Sequence, residues 1–107
     1  MSIPPPPGEK KFRPFTHSPW SWLTEPGAFV EVLWRGASVR TISMQACGCT
    51  ELGLWVPVRA EEHSRADQHQ LRVVNQHRRL TAPLNALDFD GRWAIVPASL
   101  FARGNDE

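Results

Sequence analysis

Two thiols and two imidazoles are the first residues in this chain whose types suggest chemistry. Cys47 and Cys49 are separated only by Gly48, and His63 and His69 follow downstream. Thiolate sulfur and imidazole nitrogen are the donors of tetrahedral zinc sites, in which paired cysteines usually stand about two to four residues apart. A single intervening residue fits that spacing poorly. Small, half-buried thiols in a turn, with the histidines in a polar loop, are therefore the preferred reading, so no cofactor is expected and zinc is kept as the alternative. A disulfide needs particular Cβ directions that near neighbours rarely reach, so the thiols are read as reduced, as in the cytosol. A Cys-x-Cys pair also lacks the helix N-terminus that lowers thiol pKa in Cys-x-x-Cys redox enzymes.

Catalysis finds little else to stand on. Ser64 or Cys47 as a nucleophile would need a base and an orienting carboxylate, for which His63 and Asp67 are the nearby candidates. The chain has no Gly-x-Ser-x-Gly elbow, no phosphate-binding loop and no dinucleotide fingerprint. These absences point away from an enzyme. Charge is nearly balanced, with 12 Lys+Arg against 11 Asp+Glu and a formal net charge of +1. A generic polyanion binder draws most of its affinity from phosphate neutralisation, and this chain has little net charge for it. One basic stretch stands out, with Arg72, Asn75, Gln76, His77, Arg78 and Arg79 close together. Arginines contact phosphates and amide side chains read base edges, so Arg72, Arg78 and Arg79 form a candidate nucleic-acid face. The simpler reading is an exposed strand edge whose charges deter edge-to-edge pairing.

Five tryptophans in 107 residues are many for so small a domain. Tryptophan brings large contact area and one polar N–H, and it is enriched where proteins bind one another. Position along the chain assigns Trp34 and Trp93 to the core and Trp20, Trp22 and Trp55 to a surface. The expectation that follows is a non-catalytic interaction module, binding protein partners or itself through a Trp-rich surface. A nucleic-acid-binding accessory protein is the second reading. Small-molecule binding or catalysis at an oligomer interface is the third. A small sheet leaves edges and aromatics uncovered, so a homo-oligomer is expected, with a dimer favoured.

Several short elements must position these groups. Residues 1–26 read as a tail and an aromatic arm. The run of prolines at 4–7 favours polyproline II, while Phe12, Phe15, Trp20, Trp22 and Leu23 are too apolar for a free linker. From Gly27 the pattern changes to alternation. Val30, Val32 and Trp34 oppose Phe29, Glu31 and Leu33, and Gly36 ends the run. Further strands are expected over 39–44, 54–58, 71–74, 80–87 and 93–97, with a polar loop or short helix over 61–70. Asp90-Gly91 is the strongest hairpin signal, because two-residue hairpins need positive φ. One helical turn is expected at 98–101 and a frayed end at 104–107.

The expected class is all-β: a small barrel, or a compact antiparallel sheet of about five strands over 27–103, with an extended N-terminal arm. The segment Gly91-Arg92-Trp93-Ala94-Ile95-Val96-Pro97-Ala98-Ser99-Leu100 resembles the end of SH3-like barrels. Those folds carry a glycine turn, a strand reaching a proline, one 3₁₀ turn and a closing apolar residue. The resemblance implies a barrel fold and no particular activity. Plasmid-borne dihydrofolate reductases also have a strand that stops at a proline, with Gln and Tyr beside an Ile. Here Ala94 and Val96 flank Ile95 and the chain has no Tyr, so reductase activity is not implied. No run approaches about 18 apolar residues, and the N-terminus lacks a signal-peptide pattern, so a cytoplasmic protein without membrane association is expected.

Overall fold

The computed structural model describes residues 21–24, 26–84 and 93–102. They form seven strands and two short helices: β1 (Phe29–Trp34), β2 (Ala37–Ser43), β3 (Gly48–Thr50), β4 (Gly53–Pro57), α1 (Ala60–Ser64), β5 (His69–Val74), β6 (Arg79–Pro83), β7 (Trp93–Pro97) and α2 (Ala98–Ala102). The strands make two antiparallel sheets, one ordered β2-β1-β5-β6 and the other β3-β4-β7. The all-β expectation holds. Among the described residues the sheets do not close into a single barrel, and the strands number seven rather than about five.

Alternation in the sequence sets the inner face. Val30 pairs with Val73 and Ile42, and Val32 pairs with Leu71, so these side chains share one side of the larger sheet. Leu80 and Ala82 on β6 continue that side through their pairing with Val73 and Leu71. Cys49, Leu54, Val56, Ala94 and Val96 of the smaller sheet meet them in one buried core, joined by Leu23, Val58, Leu84 and Phe101. Each fully buried aliphatic side chain there contributes about 1.5–3 kcal/mol of burial free energy. Leu23 is 3% exposed, so the last part of the expected arm packs into the core.

Turns explain the remaining geometry. β1 and β2 are joined by Arg35-Gly36, both at positive φ (52° and 86°), as a two-residue hairpin requires. The register then slips between Val32 and Leu33, leaving Val39 as the extra residue of a β-bulge, 54% exposed. Asn75 closes the β5–β6 turn by accepting from the backbone N–H groups of His77 and Arg78, both at 2.7 Å. Gly53 lies so close to β7 that a Cβ would fall on the Val96 carbonyl. β3 was not expected: it is only three residues long, and Gly48 and the two cysteines conceal its strand character. The stretch expected as a polar loop or short helix over 61–70 holds the short helix α1, a 3₁₀ turn at Ala66–Gln68 and the start of β5, which was not expected there. The expected turn at Asp90-Gly91, the tail before residue 21 and the end at 104–107 lie outside the described residues.

Candidate functional site

The tryptophans distribute differently from the expectation. Trp55 is 6% exposed and is not a surface residue. It pairs with Ile95 across β4 and β7, and with Trp93 and Ile95 it forms a second apolar cluster on the face of the smaller sheet turned away from the main core. Its indole N–H donates to Thr50 Oγ1 at 2.8 Å, and its ring meets Trp93 edge-on at 6.3 Å. The smaller sheet is thus buried on both faces, which alternation alone does not reveal. Trp93 is buried as expected, whereas Trp34 is only half-buried, at the β1–β2 turn. Trp20 and the side chain of Trp22 lie outside the described residues.

The four zinc candidates do not assemble. Cys47 and Cys49 face the main core beneath the smaller sheet. His63 sits on α1, and His69 begins β5, where its Nδ1–H donates to the Arg65 carbonyl at 2.8 Å and its ring meets Trp34 at 4.8 Å. Among the described residues no three His, Cys, Asp or Glu side chains stand where they could hold a metal ion together. Burial pushes the Cys47 thiol up to about 12, and its Sγ–H donates to the Ser43 carbonyl at 3.6 Å. A thiol in that state is neither a nucleophile nor a thiolate ligand at neutral pH.

The expected arginine face is partly neutralised. Arg72 and Arg79 project from neighbouring strands on the outer side of the larger sheet, as their pairings with Glu31 and Val74 require. Arg72 donates to Glu31 at 2.7 Å, and this hydrogen bond holds the Glu31 carboxyl below its usual range, aided by Ser38, Arg72 and Arg79. Arg78 belongs to the β5–β6 turn, so its backbone serves the turn before its side chain serves anything else.

A cleft elsewhere has the more distinctive geometry. It measures about 360 Å³ and runs along the outer edge of β2, lined by Arg40, Thr41, Ile42 and Ser43 on one side. Ala46, Pro57, Val58 and Arg59 line the other. Among the described residues β2 is the terminal strand of its sheet, and the four lining residues are its regular half, paired to β1 at Val32, Glu31, Val30 and Phe29. The bulge at Val39 lies beyond them. An edge strand presents backbone N–H and C=O groups with no ladder partner. The other edges are poorer templates among the described residues: β3 has three residues, all buried; β6 ends in Pro83; and β7 is buried over four of five positions.

An ion pair holds the walls of this cleft together. Arg40 grips Glu62 with both prongs, Nε to Oε2 at 2.8 Å and Nη2 to Oε1 at 2.6 Å, and Nη2 also reaches the Pro57 carbonyl at 3.5 Å. Glu62 Oε1 accepts the Arg59 backbone N–H at 2.8 Å as well, fixing the start of α1. Burial alone raises the Glu62 pKa. The Arg40 hydrogen bonds, the Arg59 N–H and the charges of both arginines outweigh it and leave the carboxyl below the usual carboxylate range. Glu62 itself does not line the cleft, and among the described residues its walls present two arginines, two hydroxyls and no carboxylate. Neither the edge character of β2 nor the Arg40–Glu62 pair is signalled by local pattern, because both depend on how distant segments meet.

Among the described residues, no helix is long and apolar enough to cross a membrane. Comparison with known proteins finds no family model, no curated protein and no solved structure that matches this chain.

Proposed function

We propose that this protein is a non-catalytic interaction module that takes up an extended, acidic segment of a partner protein as an added strand along β2. The observation that carries the reading is the cleft beside the regular half of a terminal strand. Strand addition draws affinity from backbone hydrogen bonds and specificity from a groove that holds alternate side chains. The cleft offers both, with Ile42, Ala46 and Val58 for an apolar side chain and Arg59 for a carboxylate.

Charge favours an acidic partner over a second copy. β2 reads Ala-Ser-Val-Arg-Thr-Ile-Ser and has no acidic residue. A second copy paired along β2 would bring no acidic side chain of that strand to the cleft. Self-association through β2 is therefore the competing outcome of the test. The nucleic-acid reading has less support at Arg72, which is held by Glu31.

Calorimetric titration with synthetic strand-forming peptides tests the proposal. One peptide alternates Thr and Val and ends in Asp and Glu, a second replaces the acids by Lys, and a third is the acidic peptide N-methylated at alternate residues. The acidic peptide should bind, and the lysine and N-methylated versions should fail. Equal binding of the N-methylated peptide, or failure of the acidic one together with a concentration-dependent dimer, would remove the proposal.

A further inference from the structure

A second cationic group lies away from the cleft, and none of the roles above uses it. Trp34, half-buried at the end of β1, carries two guanidinium groups over its indole: Arg35 at 5.2 Å from the ring centroid and Arg65 at 5.9 Å. They arrive from different elements, Arg35 from the β1–β2 turn and Arg65 from the residue that ends α1. Their supports are built in. Arg35 N–H donates to the Gln68 carbonyl at 3.4 Å, which ties the turn to the 3₁₀ segment after α1. The Arg65 carbonyl accepts from His69 Nδ1, and the His69 ring lies against Trp34 at 4.8 Å.

Two features set this group apart. Arg35 holds a φ of 52°, a left-handed conformation for which glycine and asparagine are the usual residues. The turn would form more readily with another residue there, so the position of the guanidinium is kept at a cost in backbone strain. Moreover, Arg40 and Arg72 are each held by a glutamate, whereas neither Arg35 nor Arg65 forms an ion pair among the described residues. Two positive charges thus meet one aromatic ring, and among the described residues no carboxylate is paired with either. The indole attracts each cation through its face and leaves their N–H donors without an anionic partner among the described residues.

We infer that Trp34, Arg35 and Arg65 form a binding site for a phosphate group. Planar guanidinium forks match phosphate oxygens in pairs, and an aromatic backing restricts them to a fixed orientation before the ligand arrives. The phosphate comes either from a free phosphomonoester or from the backbone of a nucleic-acid strand. In both cases Arg35 and Arg65 donate to its oxygens, and Trp34 holds the two forks in place.

Proton–nitrogen correlation NMR of the Arg side-chain Nε–H and Trp indole N–H signals tests the site, at constant ionic strength maintained with chloride. Inorganic phosphate should shift the Arg35, Arg65 and Trp34 signals saturably. Arg35→Gly removes one fork while relieving the strained turn, so the variant should fold and bind phosphate about tenfold more weakly, the loss expected for one charge-assisted contact. Arg65→Gln should do the same, and the double variant should not respond. Tighter binding of a short oligothymidylate than of adenosine monophosphate assigns the phosphate to a strand, and equal or weaker binding assigns it to a free ester. Signals that move no more than in chloride, or that still move in the folded double variant, would overturn the inference. Failure here leaves the β2 proposal standing, because the two sites share no residue.

Discussion

Arg40 and Glu62, 22 positions apart, meet in a two-pronged ion pair that fastens the edge of the larger sheet to the start of α1. Their side chains are 21% and 7% exposed, so each charge depends on the other for most of its compensation. The same contact fixes the width of the cleft, since Arg40 and Arg59 form its two cationic walls and Glu62 is bonded to both.

Removing one member of the pair leaves the other charge largely buried. Glu62→Ala should therefore destabilise the fold by about 3 kcal/mol, toward the low end for a broken buried pair because Arg40 keeps some contact with water. Urea unfolding of the variant measures it. A double variant, Arg40→Met with Glu62→Leu, should recover much of the loss.

Acid should act through the same group. Glu31 and Glu62 both have carboxyls held below their ordinary value in the folded protein. A depressed folded pKa contributes stability that is present above the unfolded value, about 4.5, and is lost as pH falls through the folded value. Thermal melts should thus be insensitive to these groups near neutrality and fall increasingly below that value. Glu62→Gln should flatten this acid limb, and an unchanged pH profile would contradict the assignment.

Gly53→Ala places a methyl group on the Val96 carbonyl and against Ile95 Cγ1. Backbone cannot yield as a side-chain tip does, so β4 and β7 must separate locally. The expected loss is about 1–3 kcal/mol, read from the denaturation midpoint.

Much of the fold is legible from alternation and turn residues. Val30, Val32, Leu71 and Val73 repeat at every second position and build the inner face, and Trp93 to Pro97 forms the last strand where its apolar run and proline place it. What stays hidden depends on partners distant in sequence. Trp55 reads as exposed because one face of a short strand is ordinarily solvated, yet both faces of the smaller sheet are covered. Counting tryptophans does not point to the proposed β2 edge, since strand order decides which strand ends the sheet. Cys47 and Cys49 draw attention by chemistry, but their location in the core makes them packing groups.

That location has its own consequence. With its thiol pushed up to about 12, Cys47 at pH 8 carries on the order of one thiolate in ten thousand. Iodoacetamide should label it far more slowly in the native protein than in urea, as mass spectrometry of timed samples would record. Rapid native labelling would contradict its burial.

Whether the outer edge of β2 accepts an acidic strand is decided by backbone amide shifts during titration with the acidic peptide. Shifts should concentrate at Arg40, Thr41, Ile42, Ser43, Val58 and Arg59, with slowed amide exchange along β2. Shifts absent from β2, or concentrated on the outer face around Arg72 and Arg79, would contradict the proposal.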